Sequence, residues 1–214
     1  MGTITFIRHG QANSTATDEE SYDQLSDLGR QQAAWLGEWL RDQGESFDQV
    51  ISGSLTRHKQ TATAMGWDTP DIDPRLNEMD YFNLSQAMHA AHGVEMPGPD
   101  GFSEHVPLVL EAWHRAEIQG QESFAAFETR VGAVLREVGQ LDRHVLCVTS
   151  GGVIGMVMRL LLALDPRRFA HVILPIRNTS VHRVLITPSG PILAGFNATP
   201  HLDPADRAHA RTQL

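Results

Sequence analysis

The stretch Thr3-Ile4-Thr5-Phe6-Ile7-Arg8-His9-Gly10 starts as an apolar run and ends in a cation, an imidazole and a glycine. A short run rich in β-branched residues and closed by Gly reads as a buried strand. In an open α/β sheet, ligands sit just beyond the carboxyl ends of the strands. Arg8 and His9 fall there. Arg8 offers a planar fork of donors suited to phosphate. His9 offers a ring nitrogen that can attack or carry a proton, and Gly10 lets a ligand approach the backbone closely. A core strand with a polar end fits the same residues, and spacing alone leaves both readings open.

Working outward, the chain has 214 residues, 41% of them hydrophobic, and a formal net charge of −9. That suits one compact α/β domain spanning 1–214. The acidic balance and the lack of a long basic run argue against nucleic acid as a partner. No apolar stretch approaches the length of a bilayer span, since the longest, Val153 to Leu164, is broken by Gly155 and Arg159. The N-terminus lacks the basic and apolar regions of a signal peptide. The single Cys147 cannot form an intramolecular disulfide. These features point to a cytoplasmic protein without a membrane partner.

Polar residues dominate Gln11 to Gln24, which reads as a loop bordering the end of the first strand. Ser26 caps a helix over about 27–42, with Leu28, Ala33, Leu36, Trp39 and Leu40 at helical spacing and Gly44 as its stop. Phe47 to Ile51 is a second strand. Ser52-Gly53-Ser54 ends it and opens a helix to about Met65, whose start presents free N–H groups and a positive dipole end. Arg57 lies in that first turn, and it is either an exposed helix arginine or a second ligand for the anion at Arg8. His58 and Lys59 point away from Arg57's face, which places them at the rim or on the surface. Trp67 to Pro74 is rich in turn residues. Phe102 to Ile118 and Ser123 to Gln140 read as helices, His144 to Thr149 as a buried strand, and Val153 onward as an apolar helix. Pro166 to Val172 is a short helical connection, Val181 to Thr187 a strand, and Ile192 to Phe196 its hairpin partner. The polar tail from Asp203 reads as frayed.

Five motifs in order resemble the histidine phosphatase superfamily, the phosphoglycerate-mutase-like proteins. They are Arg8-His9-Gly10; the helix with its lead-in, Leu25 to Ala33; Ser52 to Thr61 around Arg57; Leu76-Asn77-Glu78; and the late strand Val145 to Ile154 followed by Asn178-Thr179-Ser180. The resemblance covers nearly the whole chain. It implies a three-layer α/β/α fold, a mostly parallel sheet with helices on both faces. It also implies a phosphohistidine on His9, phosphate held by Arg8 and Arg57, and Glu78 as proton donor and acceptor, with Asp80 as the fallback. Gln11, Asn13, Ser150, Gly151 and Asn178 are further candidate phosphate contacts, and a structural turn role fits Asn178 equally well.

One departure stands out. The family usually carries Ser-His-Gly-Gly after the late strand, and its histidine binds the phosphoryl group. This chain reads Thr149-Ser150-Gly151-Gly152. Losing a charge-assisted bond of about 1.5–3 kcal/mol costs roughly ten- to a hundredfold in rate. His182 and His201 are candidates to supply another imidazole. No Cys-x5-Arg loop and no Gly-x-Ser-x-Gly elbow is present, so Cys147 and Ser150 are not nucleophiles of those types.

The segment 76–114 contains no Lys or Arg but carries Glu78, Asp80, Glu95, Asp100, Glu104 and Glu111. Several phosphates need several cations. In the family it resembles, this segment supplies much of the substrate pocket, so the resemblance implies a small phosphate monoester that is not highly anionic, hydrolysed without metal or organic cofactor because the arginines supply the charge. A mutase-type phosphoryl transfer and a weakly active phospholigand-binding module are the alternatives, and a homodimer stays open. His89, His92, His105 and His114 lie in the same segment without the spacing of a metal site.

Overall fold

The computed structural model describes residues 1–13 and 19–213, so part of the expected Gln11–Gln24 loop, residues 14–18, lies outside the described residues. The sheet is built from β1 (Gly2–Arg8), β2 (Gln49–Ser52), β3 (Asp71–Ile72), β4 (His144–Thr149), β5 (Val181–Thr187) and β6 (Gly190–Ala198). Its order is β3-β2-β4-β1-β5-β6. β3, β2, β4 and β1 run parallel, while β5 and β6 add antiparallel at one side. The α/β architecture and the mostly parallel sheet agree with the sequence.

The helices are α1 (Glu19–Tyr22), α2 (Asp27–Asp42), α3 (Thr56–Ala64), α4 (Tyr81–His92), α5 (Phe102–His114), α6 (Phe124–Val138), α7 (Gly151–Leu162) and α8 (Pro166–Ile173). Central strands buried on both faces read as continuous apolar runs, and alternate side chains then serve different layers. Ile4, Phe6, Ile51, Val145 and Cys147 pack with residues of α5, α6 and α7 such as Leu110, Phe127 and Ile154. Ile7, Leu146 and Val148 point the other way, onto Ala33, Leu36 and Leu40 of α2 and Ala62 of α3.

Three expectations change. Within the polar loop after β1, Glu19–Tyr22 forms a short helix. The turn-rich stretch after α3 contains β3, a two-residue strand paired with Ile51 and Ser52. The tail is not frayed: Ala205–Ala210 forms a 3₁₀ helix and Ala210 is buried. The tail's polar groups complete a network around Gln32, a fully buried side chain of α2 that must find partners. Gln32 Oε1 accepts from Gln11 N (2.8 Å), and its Nε2 donates to Ala210 O (2.6 Å) and Thr212 Oγ1 (2.9 Å). Among the described residues no helix is long and apolar enough to cross a membrane.

Gln32→Leu keeps the volume and removes these partners, leaving buried polar groups unpaired. The expected loss is about 1–3 kcal/mol of unfolding free energy, read as a lower urea midpoint.

Candidate active site

The site forms where β1 ends. Its backbone is held from three sides. His9 N donates to Thr149 O of β4 (2.9 Å), Arg8 N to Ser180 O (3.2 Å), and Gly10 N to Thr61 Oγ1 of α3 (3.0 Å). Arg8 and His9 are thereby fixed at the carboxyl end of the sheet, and both side chains are buried.

His9 Nδ1 lies 2.7 Å from Gly10 O. A carbonyl only accepts, so Nδ1 carries the proton and Nε2 is the bare nitrogen. Burial, and then the charges of Arg57 and Arg8, hold the His9 pKa well below its ordinary value. The ring is neutral at physiological pH. Arg8 Nη1 donates to the carbonyls of Ile176 and Gln213, while its buried Nε has no partner among the described residues.

Arg57, 1% exposed, projects from the first turn of α3. The N–H groups at this helix start are not free, contrary to the sequence reading. The Asp23 carboxylate accepts from Thr56 N (2.8 Å) and Arg57 N (3.0 Å) and pairs with Arg57 Nη1 at 3.2 Å. The Arg57 guanidinium also lies over the Tyr22 ring, 5.0 Å from its centroid.

His58 is a correction. It is not at the rim but fully buried, its ring centroid 5.7 Å from that of His9. The helical-face argument holds for a helix seen from the side. Here α3 meets the site with its first turn, so Arg57 faces Tyr22 and Asp23 while His58 faces Ser150. Lys59 is exposed, as expected.

Ser150 occupies the cap position of α7 but makes no cap hydrogen bond. Its hydroxyl lies 2.6 Å from His58 Nε2 instead. Glu78 takes over the capping, its Oε2 accepting from Gly152 N at 2.9 Å. A side chain at Gly152 would forbid this, because its Cβ would lie 2.1 Å from Glu78 Oε1. The loop before Glu78 is clamped by residues that the sequence reading passed over. Thr149 Oγ1 donates to Leu76 O (2.6 Å), and Arg130 Nη1 donates to Arg75 O (2.6 Å) and Asn77 O (2.7 Å). Asp80 caps α4 through Asn83 N (3.1 Å) and accepts from Gln121 (2.7 Å), which commits it elsewhere.

The remaining candidates serve as braces. Asn178 donates to His9 O (3.3 Å) and accepts from Thr212 Oγ1 (2.8 Å), so both ends of its amide are engaged. Gln11 Oε1 accepts from Ser26 Oγ (2.9 Å), and Asn13 Nδ2 donates to Ser21 O (3.0 Å). Gly151 packs against Arg8, where a Cβ would lie 3.7 Å from Nε. His182 uses Nε2 with Ser180 Oγ (2.8 Å) and Nδ1 with Asn197 N (3.2 Å). His201 Nε2 meets Thr179 Oγ1 (2.8 Å). Thr179 N in turn donates to Arg8 O (3.1 Å), so these two histidines support the strand end from beneath. The histidines of 89–114 do not converge. His89 faces Glu95, His92 faces Glu117, and His105 meets the Tyr81 hydroxyl at 2.7 Å. Among the described residues no group of three metal-ligating side chains comes together.

The fold is thus a mostly parallel sheet with a buried, neutral histidine and two buried arginines at its carboxyl end. The family model of the histidine phosphatase superfamily (branch 1) matches residues 4–199, and the chain belongs to that superfamily. Among solved structures it resembles a mutant phosphoserine phosphatase from Entamoeba histolytica in complex with phosphoserine, with TM-score 0.70, 19% identity, and coverage of 94% of this chain and 100% of that one. The mycobacterial glucosyl-3-phosphoglycerate phosphatase gives TM-score 0.62 and 23% identity over 92% of this chain and 98% of that one. A mitochondrial serine/threonine-protein phosphatase Pgam5 from Drosophila virilis is 25% identical over 87% of this chain and 59% of its own length. That of Drosophila grimshawi is 36% identical over 44% of this chain and 29% of its own length. The chain thus spans less than two thirds of these curated relatives.

Five buried imidazoles, those of His9, His58, His105, His182 and His201, all with lowered pKa values, give a pH prediction. His182 and His201 have pKa values pushed down to about 3, chiefly by burial, and His9 and His58 are also held well below normal. In the unfolded chain each takes up a proton near pH 6.5. Below that pH the unfolded state binds more protons, so stability falls as pH drops. Urea midpoints are expected to be flat above about pH 7 and to decline steadily from about pH 6.5 toward pH 4. His182→Asn is expected to show a shallower decline.

Proposed function

We propose that this protein hydrolyses phosphate monoesters through a phosphohistidine on His9. The observation that carries the reading is a bare, neutral Nε2 held beside two buried arginines. Nε2 attacks phosphorus, Arg8 and Arg57 hold the equatorial oxygens, and charge spreading onto those oxygens meets fixed positive groups. Glu78, fixed on the N-terminus of α7, donates a proton to the leaving oxygen and then takes one from the attacking water. The arginines supply the charge neutralisation, so the scheme needs no metal.

Glu78 also lines a cleft of about 360 Å³ with Leu55, Asp80, Leu84, Trp113 and Arg130. With Glu78 as the proton donor, this cleft is the natural seat for the leaving group. Its cation, Arg130, is tied to Glu122 at 2.6 Å and to two carbonyls. The cleft therefore favours a neutral or cationic leaving group over one bearing a second phosphate. On the other side Tyr22 stands edge-on to His9 at 6.4 Å and Phe82 follows it at 6.3 Å, an aromatic wall beside the phosphoryl position. Relatives of the same fold carry names that involve phosphoserine and protein phosphates, both monoesters of hydroxyl groups. The poverty of free cations also weighs against a mutase, which must grip a second phosphate.

The test is phosphate release from p-nitrophenyl phosphate and from a panel of alkyl monophosphates, with EDTA present throughout. Wild type is expected to turn over, and His9→Ala to be inactive and to lose the acid-labile phosphoenzyme trapped on quenching. Glu78→Gln is expected to lose about 10²–10⁴-fold on alkyl esters and much less on nitrophenyl, whose phenolate leaves without a proton. Full activity in His9→Ala would overturn the scheme.

A further inference from the structure

We propose that His58 is the second imidazole of this site and that it acts through Ser150, whose hydroxyl donates a hydrogen bond to the phosphoryl group. This deepens the phosphohistidine reading and rests on it. In the family pattern quoted above a histidine stands where this chain has Ser150. The structure brings an imidazole to that serine from a different element: His58 of α3 places Nε2 2.6 Å from Ser150 Oγ.

Three features mark the pair as built for a ligand. First, Ser150 gives up the capping bond that serine at a helix start ordinarily makes, and Glu78 supplies it instead. The hydroxyl is thus released to meet His58. Second, His58 fits because residue 53 is glycine. A Cβ there would lie 2.1 Å from His58 Nδ1, so the ring and Gly53 are matched. Third, His58 is fully buried and its Nδ1 has no partner among the described residues. A buried polar atom left unpaired is costly, and such atoms gather where ligands or protons come and go.

The geometry sets the chemistry. His9 and His58 lie 5.7 Å apart between centroids, tilted by 36°, so a group that binds beside one ring lies close to the other. With Nε2–H of His58 donating to Ser150 Oγ, the serine proton is free to point at a phosphoryl oxygen. The groups facing the pair are Arg57 on its own helix, His9 and Arg8 from β1, and Glu78 across Gly152. Burial, and then the charge of Arg57, oppose a proton on His58 in the empty site. An arriving phosphate dianion reverses that balance. His58 then takes a proton, and the neutral bond becomes charge-assisted as the oxygens gain charge in the transition state. No bond to carbon or phosphorus is made or broken by His58. It holds one proton and passes its effect through one hydroxyl.

The test compares wild type with His58→Gln, His58→Ala and the exchange variant His58→Ala/Ser150→His. Thermal melts check that each is folded. Gln keeps a donor near Nε2 but cannot be protonated. The expectation is a fall in kcat of roughly ten- to a hundredfold for both Gln and Ala, with the exchange variant recovering most of it. Wild-type kcat in folded His58→Gln, or an exchange variant no better than His58→Ala, would overturn the proposal. A separate readout does not depend on turnover. Orthovanadate and inorganic phosphate are titrated into the wild type while the His58 ring ¹⁵N shifts are followed. Movement of both ring nitrogens toward imidazolium values is expected, and unmoved shifts at saturation would overturn the proposal. If the wild type hydrolyses no ester yet His58 still becomes protonated on anion binding, the phosphatase reading fails and the coupling of His58 to the anion stands.

Discussion

Two arginine side chains buried together set the terms for everything around them. Burying a cation is expensive unless it is paired or well hydrogen-bonded. Arg57 meets the Asp23 carboxylate and the face of Tyr22. Arg8 rests on neutral carbonyls, which orient it without cancelling its charge. The pocket keeps a positive field, and that field works in two directions. It adds to burial, the larger cause, in holding the pKa values of His9 and His58 well below normal. It also suits an anion, such as the phosphoryl group of the proposed substrate.

The fold delivers these groups through a few rigid pieces. β1 and β4 lie side by side in the middle of the sheet, and each runs straight into the site, one into Arg8 and His9, the other into Ser150. The chain after β5's partner returns beneath them, where Asn178, Thr179 and the 203–213 segment tie the carbonyls of the strand end. Capping of α7 by Glu78 rather than Ser150 links two functions. The carboxylate is fixed in place by a helix N-terminus, and the serine is left for another task.

Much of this was legible beforehand, for identifiable reasons. β4 and β5 are continuous apolar or alternating runs with Gly or turn residues at their ends, and α2 carries its own cap at Ser26. Arg8, His9, Arg57 and Glu78 stand out because the motifs around them are contiguous. What escaped depends on tertiary placement. β3 is two residues of ordinary propensity made into a strand by Ile51 and Ser52. Asp23 caps a helix that begins more than thirty residues later. The tail looked dispensable because its polarity gives no hint that a buried Gln32 needs it. His58 failed a test of helical faces that does not apply when a helix points its end at the site. The signal that could have found it was the pairing of Gly53 with a histidine in the first turn that follows.

If His58 serves as proposed, α3 carries more of the site than Arg57 alone. Arg57 and His58 are consecutive on it, and Thr61, one turn on, accepts from Gly10 N next to the nucleophile and donates to Arg57 O at 2.7 Å. One short helix therefore sets an arginine, an imidazole and the backbone beside His9. Sites built on a single rigid element hold their geometry better than sites assembled from loops. The same economy concentrates the risk, because any shift of α3 displaces all three at once. Its start is fixed by Asp23, whose carboxylate sits on both the helix amides and the Arg57 guanidinium. In the proposed scheme a phosphate and Asp23 would share that cation, which would couple occupancy of the site to the placement of the Tyr22–Asp23 turn through Arg57.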